Sequence, residues 1–166
     1  TTAPVLSIPA DYTAECSDAH PMDDASATDN CGEVTIDVVE TTTEGACAGE
    51  YTITRAFTAT DDCGNATSAT QTIAIIDTTA PELTIPADYT VACNLDIELE
   101  GATATDNCSE GVTIEVSEIE VPGVEIGSFT IERTFTATDD CGNVAIEIQT
   151  ITVEASVPEG DCDCDG

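Results

Sequence analysis

Lysine is absent from this chain of 166 residues, and the two arginines face 34 aspartates and glutamates. The formal net charge of −32 at pH 7 excludes nucleic-acid phosphates and anionic membrane surfaces as partners, because like charges repel over a Debye length. Cations are the natural partners of such a chain. Its single histidine, His20, lies in a loop-like segment, and no nucleophile or zinc-protease motif is present, so we expect no catalysis.

Tryptophan is also absent, and only three tyrosines and three phenylalanines are present, so the hydrophobic core must be thin. A thin core needs cross-links or bound ions. The nine cysteines lack zinc-finger spacing and partner histidines, which indicates disulfides formed in an oxidising compartment, and we expect an extracellular protein. Neither a signal peptide nor an apolar run long enough to cross a bilayer occurs, which is typical of a segment processed from a longer chain.

The sequence contains a tandem repeat. TTAPVLSIPADYTAEC at residues 1–16 reappears as TTAPELTIPADYTVAC at residues 78–93, and FTATDDCGN occurs unchanged at residues 57–65 and 135–143. We therefore divide the chain into repeat 1 (1–77), repeat 2 (78–155) and an acidic, cysteine-containing tail (156–166).

Each repeat consists of short segments rich in Thr, Ile, Val and Phe between turn residues, without helical periodicity. Such segments are typical of half-buried strands. The clearest are VTIDVV, YTITRAFTAT and TQTIAII in repeat 1, and VTIEV, FTIERTFTAT and IQTITV in repeat 2. The pattern predicts an all-β chain of two tandem immunoglobulin-like antiparallel β-sandwich domains, each of about seven strands.

Arg55 and Arg133 share strand parity with the apolar residues of their strands, so both side chains should point into the sandwich. We expect each stem to pack inside while the guanidinium meets a carboxylate or a glutamine, Gln71 or Gln149, at the rim. The alternative is an arginine that binds sugar.

TATDNC, the FTATDDCGN turn and the DTTAP joint resemble hyalin-type (HYR-like) immunoglobulin-like repeats, and the cysteine-bearing version is similar to repeats of surface adhesins from gliding and marine Bacteroidota. The resemblance extends from Thr1 to about Val153. It departs where Glu125 stands at the counterpart of Cys47, and where EASVP replaces DTTAP after repeat 2. The resemblance implies a spacer or adhesive module without catalysis.

In an immunoglobulin-like sandwich, the loop after the second strand and the loop before the last strand lie at the same end. TDNC fits the first of these loops and TDDC the second. The remaining cysteines of repeat 1 fall at the opposite end. Four cysteines allow three pairings, so the choice rests on this topology. It predicts the disulfides Cys31–Cys63, Cys108–Cys141 and Cys16–Cys47.

Cys93 lacks a partner in repeat 2, because Glu125 stands where the counterpart of Cys47 is expected. The final strand runs from the Cys93 end of the repeat into the tail. Either Cys162 or Cys164 is therefore a candidate partner, and one cysteine is left over, free or joined to another chain.

Aspartates beside these cysteines bring like charges together, which a calcium ion would offset. For repeat 2 the predicted ligands come from three separate segments: Asp77, Asp106, Asp139 and Asp140. Repeat 1 has a weaker set, without an aspartate in the incoming joint: Asp29, Asp61 and Asp62. The alternative is that each aspartate caps its own turn through hydrogen bonds to the backbone. The tail sequence DCDCDG matches only the first half of a calcium loop.

Near-identical turns and joints are what a linear array reuses, so the sequence favours a structural repeat of an extracellular surface adhesin or stalk. Its partners are then neighbouring repeats or identical subunits, with a surface glycan or protein ligand as a further option. The alternative is a subunit of an extracellular filament assembled head to tail. A carbohydrate-binding module is less favoured, because the predicted loop tips contain no aromatic residues for a sugar to stack on.

Overall fold

A computed structural model describes residues 2–30, 32–93 and 95–155 of the chain. The chain divides into two compact units between Thr78 and Thr79. Unit 1 contains six strands, β1 Val5–Ser7, β2 Tyr12–Glu15, β3 Ser26–Thr28, β4 Val34–Glu44, β5 Tyr51–Asp61 and β6 Ala66–Ile76. Unit 2 repeats them as β7 Glu82–Thr84, β8 Tyr89–Ala92, β9 Thr103–Thr105, β10 Thr113–Pro122, β11 Phe129–Thr138 and β12 Val144–Glu154. The predicted all-β fold of two tandem domains is confirmed. Over the described ranges, no helix has the length and apolar character needed to span a membrane.

Each unit pairs a four-stranded sheet with a two-stranded sheet. The larger sheets have the strand orders β2-β6-β5-β4 and β10-β11-β12-β8, and the smaller ones are β1-β3 and β7-β9. All pairs are antiparallel except the β2–β6 and β8–β12 pairs, which are parallel. Each unit therefore differs from a purely antiparallel sandwich in how its second strand joins its last.

The six described strands per unit are fewer than the predicted number of about seven. In unit 1, β4 turns directly back into β5, and the Gly45 N–H donates to the Glu50 carbonyl at 2.8 Å to close the hairpin. Residues 16–25, between β2 and β3, form no strand. The smaller sheet of unit 1 therefore consists of β1 and β3 alone among the described residues, without the seventh strand that was predicted.

A short proline-containing segment moves the chain from one sheet to the other between β1 and β2. Pro9 has no N–H and cannot continue a strand ladder. The next residues are fastened to β6, because Gln71 Nε2 donates to the Ala10 carbonyl at 2.8 Å and the Thr72 N–H donates to Asp11 Oδ1 at 2.7 Å. The equivalent residues of unit 2 make the same two bonds.

The apolar core of each unit is small, as the low aromatic content predicts. Its buried residues are Ile53, Phe57, Ala59, Ile73 and Ile75 in unit 1, and Phe135, Ala137, Ile151 and Val153 in unit 2. Along β5 and β12 these residues alternate with more exposed ones, which gives the larger sheet one buried and one solvent-facing side.

A buried arginine completes the core of each unit, and its predicted inward orientation is confirmed. Arg55 is 4% exposed. Its Nε donates to Glu40 Oε1 at 2.8 Å, and its Nη1 donates to Gln71 Oε1 at 3.1 Å and to the Asp23 carbonyl at 2.8 Å. Cζ also lies 4.9 Å from the centroid of the Phe57 ring. With its donors directed inward, Arg55 is a structural residue rather than a ligand for sugar.

Arg133 repeats this arrangement in unit 2. It bonds Glu118 Oε1 at 2.8 Å, Gln149 Oε1 at 3.0 Å and the Glu100 carbonyl at 2.8 Å. Its Cζ lies 4.9 Å from the centroid of the Phe135 ring. Both the carboxylate and the glutamine that the sequence suggested as alternatives are therefore used together.

The Arg133→Met substitution tests the contribution of this network to stability. It keeps an apolar stem but removes the donor to the buried Gln149 oxygen, so we expect the free energy of unfolding to fall by about 2–3 kcal/mol. The Glu118→Gln substitution keeps an acceptor on a side chain that is 41% exposed, and should cost about 1 kcal/mol or less. Urea denaturation of the whole chain measures both values, with Thr134→Ala on the same strand as the control. Equal losses for Arg133→Met and the control would contradict a stabilising role.

Candidate functional site

The repeated FTATDDCGN motif forms the turn between β5 and β6 in unit 1. Asp61 caps this turn: its Oδ1 accepts the N–H groups of Cys63 at 2.9 Å and Asn65 at 2.8 Å, and its Oδ2 accepts Asn65 Nδ2 at 2.7 Å. Gly64 follows with φ of 86°, a conformation that favours glycine. The side chain of Asp61 therefore shapes the turn.

Asp139 makes the same bonds in unit 2. Its Oδ1 accepts the N–H groups of Cys141 and Asn143, both at 2.8 Å, and its Oδ2 accepts Asn143 Nδ2 at 2.9 Å. Capping of its own turn, the alternative to calcium binding, is therefore observed for the first aspartate of both motifs.

The second aspartate of each motif reaches the TDNC loop, and the structure brings the two loops to the same end of the unit, as predicted. In unit 1, the Glu33 N–H donates to Asp62 Oδ2 at 3.3 Å. In unit 2, the Asp140 carboxylate packs against Gly111, where an added Cβ would lie 2.9 Å from Oδ1. Asp62 and Asp140 thus lie against the neighbouring loop of their own unit.

Asp106, in the TDNC loop of unit 2, has one carboxylate oxygen without a partner. Its Oδ1 accepts the N–H groups of Cys108 and Ser109, both at 2.8 Å. Its Oδ2 is buried and has no hydrogen-bond partner. Carboxylate oxygens of Asp106 and Asp139 lie within 4.8 Å of each other. Two acids this close, one with an unused buried oxygen, form a candidate cation site.

The other two predicted ligands of this set are Asp140 and Asp77. Asp140 lies against Gly111 of the neighbouring loop, and Asp77 is buried, at 4% exposure, directly after β6. Among the described residues, none of the weaker set of repeat 1, Asp29, Asp61 and Asp62, belongs to a cluster of ligand-type side chains at such distances. The geometry of a cation site is therefore better developed in unit 2.

Hydrogen bonds hold the pKa of both turn aspartates below their ordinary value of 3.8. At Asp61 the largest cause is the side-chain amide of Asn65, and it outweighs the opposing effect of burial. At Asp139 burial is the largest single cause and raises the pKa, but the hydrogen bonds, led by the Asn143 amide, together outweigh it. These carboxylates stabilise the fold above the unfolded pKa, and the stabilisation is lost as the pH falls through the lower folded pKa.

Five described cysteines are disulfide-bonded: Cys16, Cys47, Cys93, Cys108 and Cys141. All four cysteines of the predicted Cys16–Cys47 and Cys108–Cys141 pairs are thus in disulfide bonds. The Cys16 N–H also donates to the Ile76 carbonyl at 2.9 Å. The Cys93 N–H bonds the Glu154 carbonyl at 3.0 Å, at the end of β12, and its predicted partners Cys162 and Cys164 lie outside the described residues.

Cys63 differs from the prediction, because the structure contains it as a free, exposed thiol rather than bonded to Cys31. Its N–H is held by Asp61 Oδ1, and its side chain faces solvent from the turn. Cys31 lies outside the described residues.

Several residues that organise the site were not singled out from the sequence. Asn65 and Asn143 bind both oxygens of the capping aspartate. Their place in the FTATDDCGN motif, which occurs unchanged in both repeats, was the signal that could have identified them. Glu15 holds the last residue of unit 1, since its carboxylate accepts bonds from both the N–H and the hydroxyl of Thr78. No periodicity in the sequence points to this last contact.

The fold and its bonded cysteines define a tandem of disulfide-containing β-sandwich repeats. The chain belongs to the family of HYR-like domains with four cysteines, whose family model matches residues 4–75 and again residues 81–153. The resemblance to HYR-like repeats is therefore confirmed. No curated protein matches the chain.

Solved structures of cadherin type are distantly similar. The Drosophila N-cadherin EC1-4 structure has a TM-score of 0.39 and 15% identity, over 92% of this chain and 50% of that chain. The human mucin-like protocadherin EC1-2 structure has a TM-score of 0.35 and 12% identity, over 92% and 99%. The human desmocollin-1 ectodomain has a TM-score of 0.33 and 10% identity, over 95% and 42%. The chain spans about half the length of the N-cadherin structure that it matches.

The Asn143→Ala substitution tests how the turn aspartates are held. Loss of the Nδ2 donor should raise the pKa of Asp139, with no change at Asp61, and Asn65→Ala should produce the reverse. Carbon-13 NMR titration of the side-chain carboxylates measures both groups in one sample. If neither substitution moves the pKa of its own aspartate, the amide bonds do not hold the turns.

Peptide mapping without reductant tests the cysteine assignments. We expect cross-linked peptides that join Cys16 to Cys47 and Cys108 to Cys141; a bond between Cys16 and any repeat 1 cysteine except Cys47 would contradict the topology. Alkylation before digestion decides between the two accounts of Cys63. A label on Cys63 agrees with the structure, whereas a peptide that joins it to Cys31 agrees with the sequence prediction.

Proposed function

We propose that this chain is a non-catalytic structural repeat pair of an extracellular surface adhesin or stalk, of the kind found in Bacteroidota, stabilised by disulfides. The observation that supports the proposal most directly is that both units are built on the same internal bonds. The buried arginine network, the capped turn and the fastened proline segment recur residue for residue. Such repetition is what a linear array requires of its modules.

The charge distribution agrees with a module that projects into solvent. Both arginines are bound inside their units, at 4% and 5% exposure, so they neutralise little of the surface. The surface charge is therefore almost entirely acidic. Mutual repulsion keeps such molecules soluble and apart, and the natural counter-ions outside a cell are metal cations.

We further propose that unit 2 binds calcium through Asp106 and Asp139, with Asp140 and Asp77 as the remaining protein ligands. The buried, unpartnered Oδ2 of Asp106 and its closeness to the Asp139 carboxylate support this site. Calcium accepts six to eight oxygens in flexible geometry, so carbonyl groups and waters can complete the shell. The bonds that Asp139 already makes to N–H groups would orient its carboxylate and leave lone pairs for the ion.

Asp77 gives this site its proposed mechanical role. It follows β6 directly and precedes the first residues of unit 2 along the chain. An ion that binds Asp77 together with acids of unit 2 would stiffen the connection between repeats, as a stalk requires. Bound calcium should therefore change the dimensions of the chain while each unit stays folded on its own core.

Calcium titration of the Asp106→Asn variant tests this proposal. Asn keeps the oxygen that accepts the Cys108 and Ser109 N–H groups but removes the charge on Oδ2, so binding should be lost without unfolding. Asp88→Asn is the matched control, because Asp88 also accepts a backbone N–H, at 2.8 Å from Thr150. Calorimetry should detect binding at roughly 0.1–1 mM in the wild type and the control, but not in Asp106→Asn.

Small-angle scattering gives the second measurement. The maximum dimension of the wild-type chain should become larger or more sharply defined with calcium than with a chelator, and Asp106→Asn should resemble the chelated state in both. If the scattering profiles with calcium and with chelator superimpose, and no heat of binding is detected up to several millimolar calcium, these aspartates only cap their turns and the proposal is wrong.

A further inference from the structure

Within the described part of the chain, the longest unpaired strand edges belong to β4 and β10. Each is an edge strand, since β4 pairs only with β5 and β10 only with β11. They are 11 and 10 residues long, and their registers run without a bulge from Val34 opposite Asp61 to Glu44 opposite Tyr51, and from Thr113 opposite Thr138 to Pro122 opposite Phe129. Each therefore presents a row of backbone N–H and C=O groups that is open to another strand.

An apolar surface lies beside the edge of β4. The register places Ile36 opposite Ala59 and Val38 opposite Phe57, on the side of the sheet that is buried in β5. Yet Ile36 is 37% exposed and Val38 is 46% exposed. The smaller sheet of unit 1 consists of only two strands of three residues, and although β3 lies next to β4, these side chains keep a large exposed fraction. Inward-facing apolar side chains thus stay uncovered next to the free edge.

Unit 2 has the same feature. Val116 lies opposite Phe135, which is fully buried, but is itself 45% exposed. Its facing sheet likewise consists of two strands of three residues, Glu82–Thr84 and Thr103–Thr105. The combination of a free edge and an exposed inward-facing valine therefore occurs in both repeats.

Charge determines what can occupy these edges. The charged residues of β4 and β10 are all acidic: Asp37, Glu40, Glu44, Glu115, Glu118 and Glu120. Glu40 and Glu118 are neutralised by the buried arginines, and the chain contains no other arginine and no lysine. A second copy would place acid against acid, which costs free energy in a strand pair. A partner strand with basic residues would instead meet opposite charges.

We propose that β4 and β10 each bind an extended, basic segment of a partner protein by strand addition. Backbone hydrogen bonds to the free edge supply affinity. Apolar side chains on one face of the added strand cover Val38 or Val116, and its lysines or arginines pair with the unneutralised acids of the edge. This partner surface is separate from the aspartates proposed to bind calcium, and it does not depend on the ion.

The test uses the whole chain and a fluorescent synthetic peptide of sequence KVTVKVTVK. Anisotropy should show two bound peptides per chain, with an affinity that falls as salt is added. Hydrogen exchange should show new protection of amides in β4 and β10. The peptides EVTVEVTVE, which reverses the charge, and KVTPKVTPK, which cannot form a continuous strand, should bind at least about tenfold more weakly.

Two matched valine variants locate the sites. Val116→Lys places a positive charge at the edge of unit 2 and should reduce the number of bound peptides from two to one, while Val38→Lys together with Val116→Lys should remove both. Val144→Lys is the control, since Val144 is 46% exposed on β12, which does not pair with β10. Equal binding by the Glu peptide, or equal losses for Val116→Lys and Val144→Lys, would overturn the proposal. So would light scattering that shows self-association through these edges, because the occupant would then be a second copy.

Discussion

A buried guanidinium is the constraint around which each unit is arranged. A charged group with five N–H donors is tolerated inside a protein only when its donors find acceptors. Arg55 meets this requirement with an edge-strand carboxylate, a glutamine of β6 and a loop carbonyl, so three separate segments must come to one place. Gln71 extends the constraint, because its amide in turn holds the Ala10 carbonyl. This network therefore helps a small apolar core to specify one arrangement of the chain.

The turn aspartates satisfy a second constraint of the same kind. Neighbouring acids in a strongly acidic chain repel, yet Asp61 and Asp139 each accept three hydrogen bonds that offset the repulsion locally. The turns therefore hold their shape through their own residues. Among the described residues, Asp106 departs from this pattern, because its buried second oxygen has no hydrogen-bond partner and so suits a bound cation.

Much of this architecture could be predicted from local patterns. The alternation of threonine with apolar residues indicates strands, the parity of Arg55 and Arg133 indicates that they point inward, and the repeated turns indicate loops that meet at one end. The parallel pairing of β2 with β6 could not be predicted in this way, since strand direction depends on how the chain crosses between sheets at Pro9. The number of strands also depends on tertiary structure, because the pattern of Val34–Val39 does not reveal that β4 continues to Glu44 and turns straight back.

The site was predictable to a smaller extent. Four acids in turns and joints indicated where the calcium site would lie. Which of their oxygens accept backbone N–H groups depends on the detailed geometry of each turn, which the sequence does not show. Asn65 and Asn143 bind the second oxygen of each aspartate, and asparagine is common in turns without making such a bond. The spacing of the cysteines likewise does not encode that Cys63 is a free thiol.

The parallel pair at the start and end of each unit has a consequence for a chain under tension. In unit 1, β2 and β6 run in the same direction side by side, so a pull on the two ends of the repeat draws these strands past each other along their length. Their hydrogen bonds, together with the bonds from Thr72 to Asp11 and from Gln71 to Ala10, are then loaded at the same time, rather than opened one after another as in a hairpin that unzips. A sheet joined in this way resists stretching far more strongly than its small core would suggest.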